Sequence, residues 1–171
     1  MPVNQKLLLV EDNHFMRTLI TEVLEGEGFE LALAENAAEA IKLADGFDPD
    51  AAILDVELGS GPNGFDVARI LRQTNPEIGI VFLTNIPEPK TIGVDNRSIP
   101  KDAAYLVKDS VADVELLVRA IGASMRGRIN PELRQDRSTH QLSNLSRSQL
   151  ELLHMAALGL SNTEIANRRG T

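Results

Sequence analysis

Short runs of uninterrupted apolar side chains recur along the first two thirds of the chain, and most of them stop on a polar residue. Leu7–Val10 runs into Glu11 and Asp12, "AAIL" (51–54) into Asp55, "GIVFL" (79–83) into Thr84, and "AAYLV" (103–107) into Lys108. A fifth stretch, "FELALA" (29–34), also reads as a strand. Continuous apolar runs this short are what strands need when both faces of a sheet are covered. Between them the period changes. Phe15, Met16, Leu19, Ile20, Val23 and Leu24 recur at helical spacing, and Gly26 and Gly28 end that helix. "NAAEAIKLA" (36–44) opens with Asn36 and Glu39 placed like a capping box. Phe65, Ala68 and Leu71 mark a third helix that stops before Pro76. A last helix follows Ser110, with Val114, Leu117, Val118, Ile121 and Met125 on one face. Strands alternating with helices predict an α/β fold, a five-stranded parallel sheet with helices on both faces.

In such sheets ligands bind beyond the carboxyl ends of the strands. That rule singles out Glu11, Asp12, Asp55, Thr84 and Lys108. One reading of the first acids is purely structural: Asp12 or Asn13 could cap the next helix. The chemical reading starts from their charge. At ~5 Å two carboxylates repel by about 3 kcal/mol at an effective dielectric of about 20. A fold relieves that by protonating one acid or by binding a cation. All-oxygen ligation at a crevice suits Mg²⁺, which uses one or two carboxylates together with phosphate. Lys108 would supply a point charge and Thr84 a hydroxyl donor to phosphoryl oxygens. His14, His140 and His154 are scattered, and no Ser/His/Asp grouping exists. A carboxylate, best Asp55 on the central strand, could itself attack phosphorus and become an aspartyl phosphate.

The set "VED" (10–12), "ILD" (53–55), "LT" (83–84) and "YLVK" (105–108) resembles the receiver domain of bacterial two-component response regulators, over roughly residues 5–125. The resemblance implies a flavodoxin-like receiver in which Asp55 is the phosphoacceptor. It implies that Glu11, Asp12, Asp55 and the backbone carbonyl of Glu57 hold Mg²⁺, and that Thr84 and Lys108 bind the phosphoryl group. Tyr105 matches the aromatic position that rotates when Thr84 is drawn to the phosphate. The implied phosphodonor is a sensor histidine kinase, and a homodimer is expected on phosphorylation. Three features depart from the family pattern. The loop "DVELGSGPNGFD" (55–66) is a residue longer than usual and lacks a Met-Pro pair, although Gly59, Gly61 and Gly64 still allow close backbone approach. Asn85 replaces the usual Ala or Gly after Thr84, and Asp109 replaces Pro after Lys108. An alternative function is a Mg²⁺-dependent phosphatase working through an aspartyl phosphate. It rests on Glu57, two residues after Asp55, as a second acid.

After the receiver region, 1–126, the pattern fades. "GRINPELRQDRSTHQLSN" (127–144) is polar and aperiodic and reads as a linker. Residues 145–171 resume helical signals: Ser146 with Gln149 and Ser161 with Glu164 form two capping boxes, with Gly159 as a stop between them. This segment resembles the first two helices of a LuxR-type helix-turn-helix domain. The sequence ends at Thr171, before the helix that enters the major groove in that family. Residues 1–125 hold 10 Lys/Arg against 21 Asp/Glu, while residues 126–171 hold 7 against 4. The expectation is therefore a DNA-binding regulator whose present chain does not bind DNA specifically, because acidic charge opposes the phosphate backbone. The short N-terminal apolar run is no signal peptide, and no stretch approaches a membrane span. Together with the absence of cysteine, this makes a cytoplasmic protein the expectation.

One stretch departs more sharply. Between the fourth and fifth strands, "TNIPEPKTIGVDNRSIPKDAAY" (84–105) contains Pro87, Pro89, Gly93 and Pro100. An interior Pro costs a helix about 3 kcal/mol and a Gly about 1. No helix longer than about two turns is expected between Ile86 and Pro100.

Overall fold

Strands β1 (Lys6–Val10), β2 (Glu30–Ala34), β3 (Ala51–Leu54), β4 (Gly79–Thr84) and β5 (Ala104–Val107) form one sheet in the order β2-β1-β3-β4-β5. Every pairing is parallel. This computed structural model describes residues 4–86, 89–95 and 99–137, with scattered positions between 152 and 159. The chain divides into two units, Met1–Asp136 and Arg137–Thr171.

Among the described residues, four α-helices cover the sheet: α1 (His14–Gly26), α2 (Ala37–Phe47), α3 (Gly64–Thr74) and α4 (Val114–Arg126). Alternate strand residues point to opposite faces and build two cores. Leu8, Val10, Leu54, Ile80, Phe82 and Tyr105 pack with Ala40, Val67 and Leu71 of α2 and α3. Leu7, Leu9, Ile53, Val81 and Leu106 pack with Ile20 and Leu24 of α1 and Leu117 and Ile121 of α4. Burying each such side chain contributes about 1.5–3 kcal/mol. The inner strands β1, β3 and β4 therefore lack polar alternation because both of their faces are covered, whereas the edge strand β2 is largely half-buried or exposed.

Helix starts follow short polar side chains. Asn13, not Asp12, caps α1, accepting from Met16 N, and Asn63 with Asp66 forms a reciprocal capping box on α3. At α2 the reciprocal arm is displaced by one residue. Asn36 accepts from Glu39 N, but Glu39 reaches the Glu35 amide and not that of Asn36. After α1, Gly28 adopts φ +94°, a left-handed turn that other residues resist.

Several expectations are corrected. The apolar stripe proposed for α1 is shifted: Phe15 and Leu19 face outward, at 73% and 38% exposure, while Arg17 is buried. The last helix follows Ser110 as expected but starts at Val114. A 3₁₀ turn, Lys108–Ala112, comes first, and Asp113 then caps α4 by accepting from Leu116 N.

The largest correction concerns the linker at 127–144. Its first ten residues belong to the first unit. They return along the free edge of β5, where Arg134 bridges Tyr105 in parallel sense. Leu133 is buried with the α1/α4 core, and Arg134 and Asp136 are also buried. The polarity of Arg134 and Asp136 reflects a buried ion pair, whereas Arg128, Asn130 and Glu132 are exposed. The domain boundary moves from 126 to about Asp136, and the helix-turn-helix expected over 145–171 lies outside the described residues. Within the stretch from Ile86 to Pro100, the described residues form a four-residue 3₁₀ helix, Pro89–Ile92, and no α-helix.

Candidate functional site

The sheet register brings the polar strand ends together. Val10 pairs with Leu54, so Glu11 and Asp55 follow side by side, and Asp55 N continues the ladder by donating to Val10 O at 2.9 Å. Glu11, Asp12 and Asp55 each offer an oxygen, and these lie within 4.8 Å of one another. Glu11 and Asp55 are buried and Asp12 is exposed. Lys108 reaches across from the end of β5. Its Nζ lies 2.8 Å from Glu11 Oε2 and 3.1 Å from Asp55 Oδ2. The cleft above has a volume of about 710 Å³, and Glu57, Gly59, Asn63 and Asn85 help to line it.

One cation does not balance this cluster. Burial, and then the Glu11 charge, push the Asp55 carboxyl up to about 7, against the pull of Lys108 and the Glu57 amide. Burial alone would lower the Lys108 ammonium. The hydrogen bond to Glu11 and the charge of Asp55 outweigh it and hold Lys108 above its ordinary value. Oxygen-only donors carrying excess negative charge at a crevice fit a hard divalent cation. Asp12, exposed on the rim, is placed for a metal that keeps part of its water shell.

Thr84 is fully buried at the end of β4, and its Oγ accepts from Ile86 N at 3.2 Å. Tyr105 is also fully buried, and its hydroxyl donates to the Ile86 carbonyl. The backbone of Ile86, through its N–H and its carbonyl, thus links the two expected switch residues. Burial, with the nearby Asp136 and Asp55 charges, raises the Tyr105 phenol well above its ordinary value, so it remains a hydrogen-bond donor.

The glycines of the 55–66 loop have separate reasons. Gly59 and Gly61 face open space but adopt φ +78° and +104°. Gly64 alone supplies close approach: a Cβ there would lie 2.2 Å from the Asp55 carbonyl oxygen and 2.9 Å from Val56 Cα. Both obstacles are backbone, so relief requires α3 to move away from the segment that follows β3. Gly64→Ala is expected to lower stability by about 2 kcal/mol or more, read by urea unfolding. An unchanged midpoint would contradict the close approach.

Two site residues escaped the sequence. Arg17 donates to the Glu11 carbonyl at 2.7 Å and to Glu35 at 3.1 Å, fixing the loop that bears both N-terminal acids. A lone cation at the buried spacing of Ile20 and Leu24 was its available signal. Gln135 accepts from Val107 N at 2.6 Å, beside Lys108; its aperiodic surroundings held no signal.

A cleft of this kind at the carboxyl edge of a 2-1-3-4-5 sheet defines a receiver-class signalling domain. Residues 7–121 match the family model described as the response regulator receiver domain, and the chain belongs to that family. It is 31% identical over 180 aligned positions to the nitrate/nitrite response regulator protein NarP of Escherichia coli (strain K12), across 95% of this chain and 79% of NarP. It is 37% identical over 82 positions to the DNA-binding response regulator MtrA of Mycolicibacterium smegmatis, across 48% of this chain and 35% of MtrA. The chain thus spans about a third of MtrA. A crystal structure of a LuxR-family two-component response regulator from Aurantimonas sp. SI85-9A1 superposes with a TM-score of 0.65 at 26% identity, covering 81% of this chain and 99% of that one. These relatives are regulators, and the phosphatase alternative finds no support among them.

Proposed function

We propose that this chain is the phosphorylation-controlled part of a transcription regulator, accepting a phosphoryl group on Asp55 from the phosphohistidine of a sensor kinase. The observation supporting this reading most directly is the Asp55 carboxyl: nearly buried, crowded by Glu11, and within 3.1 Å of Lys108. An acid whose pKa sits near 7 is readily converted to the ionised nucleophile by one added positive charge. Glu11, Asp12, Asp55 and the Glu57 carbonyl would hold Mg²⁺, which when bound neutralises the acids and the incoming phosphoryl oxygens. Asp55 then attacks phosphorus. The Asp55 oxygen–phosphorus bond forms, the phosphorus–nitrogen bond of the donor breaks, and the freed imidazole nitrogen takes a proton from water. Lys108 exchanges its contact with Asp55 for one with a phosphoryl oxygen, and the Thr84 hydroxyl leaves the Ile86 amide to donate to another. The switch would pass through the Ile86 backbone to Tyr105.

Control of transcription through a LuxR-type domain is the output proposed for residues beyond the first unit. The LuxR-family response regulator from Aurantimonas, which superposes over 81% of this chain, supports that reading. No described helix is long and apolar enough to cross a membrane.

The test is incubation with phosphoramidate and Mg²⁺, followed by intact mass. Wild type is expected to gain the mass of one phosphoryl group, stable to acid and labile to base, and Asp55→Asn to gain none. Undiminished labelling of that variant would remove Asp55 as acceptor. Continuous release of phosphate without a labelled protein would return the phosphatase reading.

A further inference from the structure

The strap that follows α4 is more than a path to the second unit. After Gly127 the chain makes a 3₁₀ turn, Pro131–Leu133, meets β5 at the Tyr105–Arg134 bridge, and makes a second turn, Gln135–Arg137. Its position is fixed at three points. Leu133 is buried. Arg134 forms a two-point ion pair with Asp136, at 2.8 and 2.9 Å, and donates to the Pro100 carbonyl. Gln135 lies between these anchors and grips the start of the turn that follows β5.

Its Oε1 accepts from the Val107 amide at 2.6 Å and from Ser110 Oγ at 3.2 Å. Its Nε2 lies 3.0 Å from the same Ser110 oxygen. Val107 and Ser110 bracket Lys108. On an edge strand the Val107 amide would otherwise face outward without a ladder partner; the Gln135 amide group takes the place of the missing strand. Lys108 reaches the acids along a four-carbon stem, so its aim depends on where its backbone is held. The adjacent turn contains Asp109, not the Pro common at that position, and has no ring to stiffen it.

We propose that Gln135 is a positioning residue for Lys108: the strap sets the backbone from which the ammonium reaches Asp55. This rests on the phosphoacceptor reading above. It makes the segment leading to the second unit a working part of the phosphorylation site. It also gives the coupling a direction. A displacement of Lys108 toward a phosphoryl group pulls on Val107 and Ser110, and through Gln135 on the residues that lead out of the domain.

The test uses the full 171-residue chain and three proteins: wild type, Gln135→Ala and Gln135→Glu. Gln135→Glu keeps the acceptor for Val107 and loses the donor to Ser110. Labelling by phosphoramidate is followed at saturating Mg²⁺, and Mg²⁺ affinity is titrated separately by calorimetry without donor. Gln135→Ala is expected to label about fivefold to tenfold more slowly. Its Mg²⁺ affinity should stay within about twofold of wild type, because the acids lie on β1 and β3. Gln135→Glu is expected to recover most of the rate. Equal rates for wild type and Gln135→Ala would overturn the proposal, as would parallel loss of rate and Mg²⁺ affinity, which marks general loosening. Failure of wild type to label at Asp55 would instead overturn the phosphoacceptor reading itself.

Discussion

Asp55→Asn is expected to stabilise the metal-free protein at pH 7.5 by about 4 kcal/mol, with the gain shrinking toward zero near pH 4. The sign follows from proton counts. The folded-state carboxyl is pushed up to about 7 from an ordinary 3.8, so between those values the native protein holds a proton that the unfolded chain has released. Stability therefore falls as pH rises through this window, and the full cost is present above the folded value. Asn never ionises and carries none of it. Lys108 keeps Glu11 at 2.8 Å in the variant, so no buried ammonium is stranded. Urea unfolding of both proteins at pH 4.5, 6 and 7.5 provides the check. A variant less stable than wild type at pH 7.5, or a difference independent of pH, would contradict the crowded-acid account. Millimolar Mg²⁺ should stabilise wild type more than the variant, because binding to the native state alone adds stability.

Arg134→Ala is expected to destabilise by about 3–5 kcal/mol, a large effect for a residue in a stretch that reads as linker. Asp136 is 1% exposed and would lose a guanidinium that meets both of its oxygens. The cost arises from taking a two-point guanidinium contact away from a buried carboxylate, and the double variant Arg134→Met/Asp136→Leu should recover most of it. If the double variant is as unstable as Arg134→Ala, shape rather than charge is the reason for the pair. Thermal and urea unfolding measured on the same samples distinguish the two.

The sheet was legible because its evidence is local. Unbroken runs such as Leu7–Val10 and Gly79–Leu83 can be satisfied only between two layers, and the strand-end rule then places Glu11, Asp55, Thr84 and Lys108 on one edge. The disruptive prolines between Ile86 and Pro100 were equally local: among its described residues, that stretch contains a single 3₁₀ helix. What escaped depends on distant partners. Arg17 lies in the core because the Glu11 carbonyl and Glu35 receive it, and no pattern within α1 announces those acceptors. Arg134, Gln135 and Asp136 look like solvated chain until the free edge of β5 is known to be open beside them. Polarity in a sequence does not separate a group facing water from one facing its counter-ion.

The strap also settles how the sheet is finished. An open edge strand is a row of unspent amides and carbonyls that can pair with any extended chain nearby. Here β5 borders the strap through the Arg134 bridge and the Gln135 side chain, leaving β2 as the outer strand on the opposite side. A receiver cut after Arg126, where the sequence first falters, would keep Glu11, Asp12 and Asp55 but expose a second edge. The residues that lead the chain out of its first unit are thus also those that keep strand pairing within a single molecule.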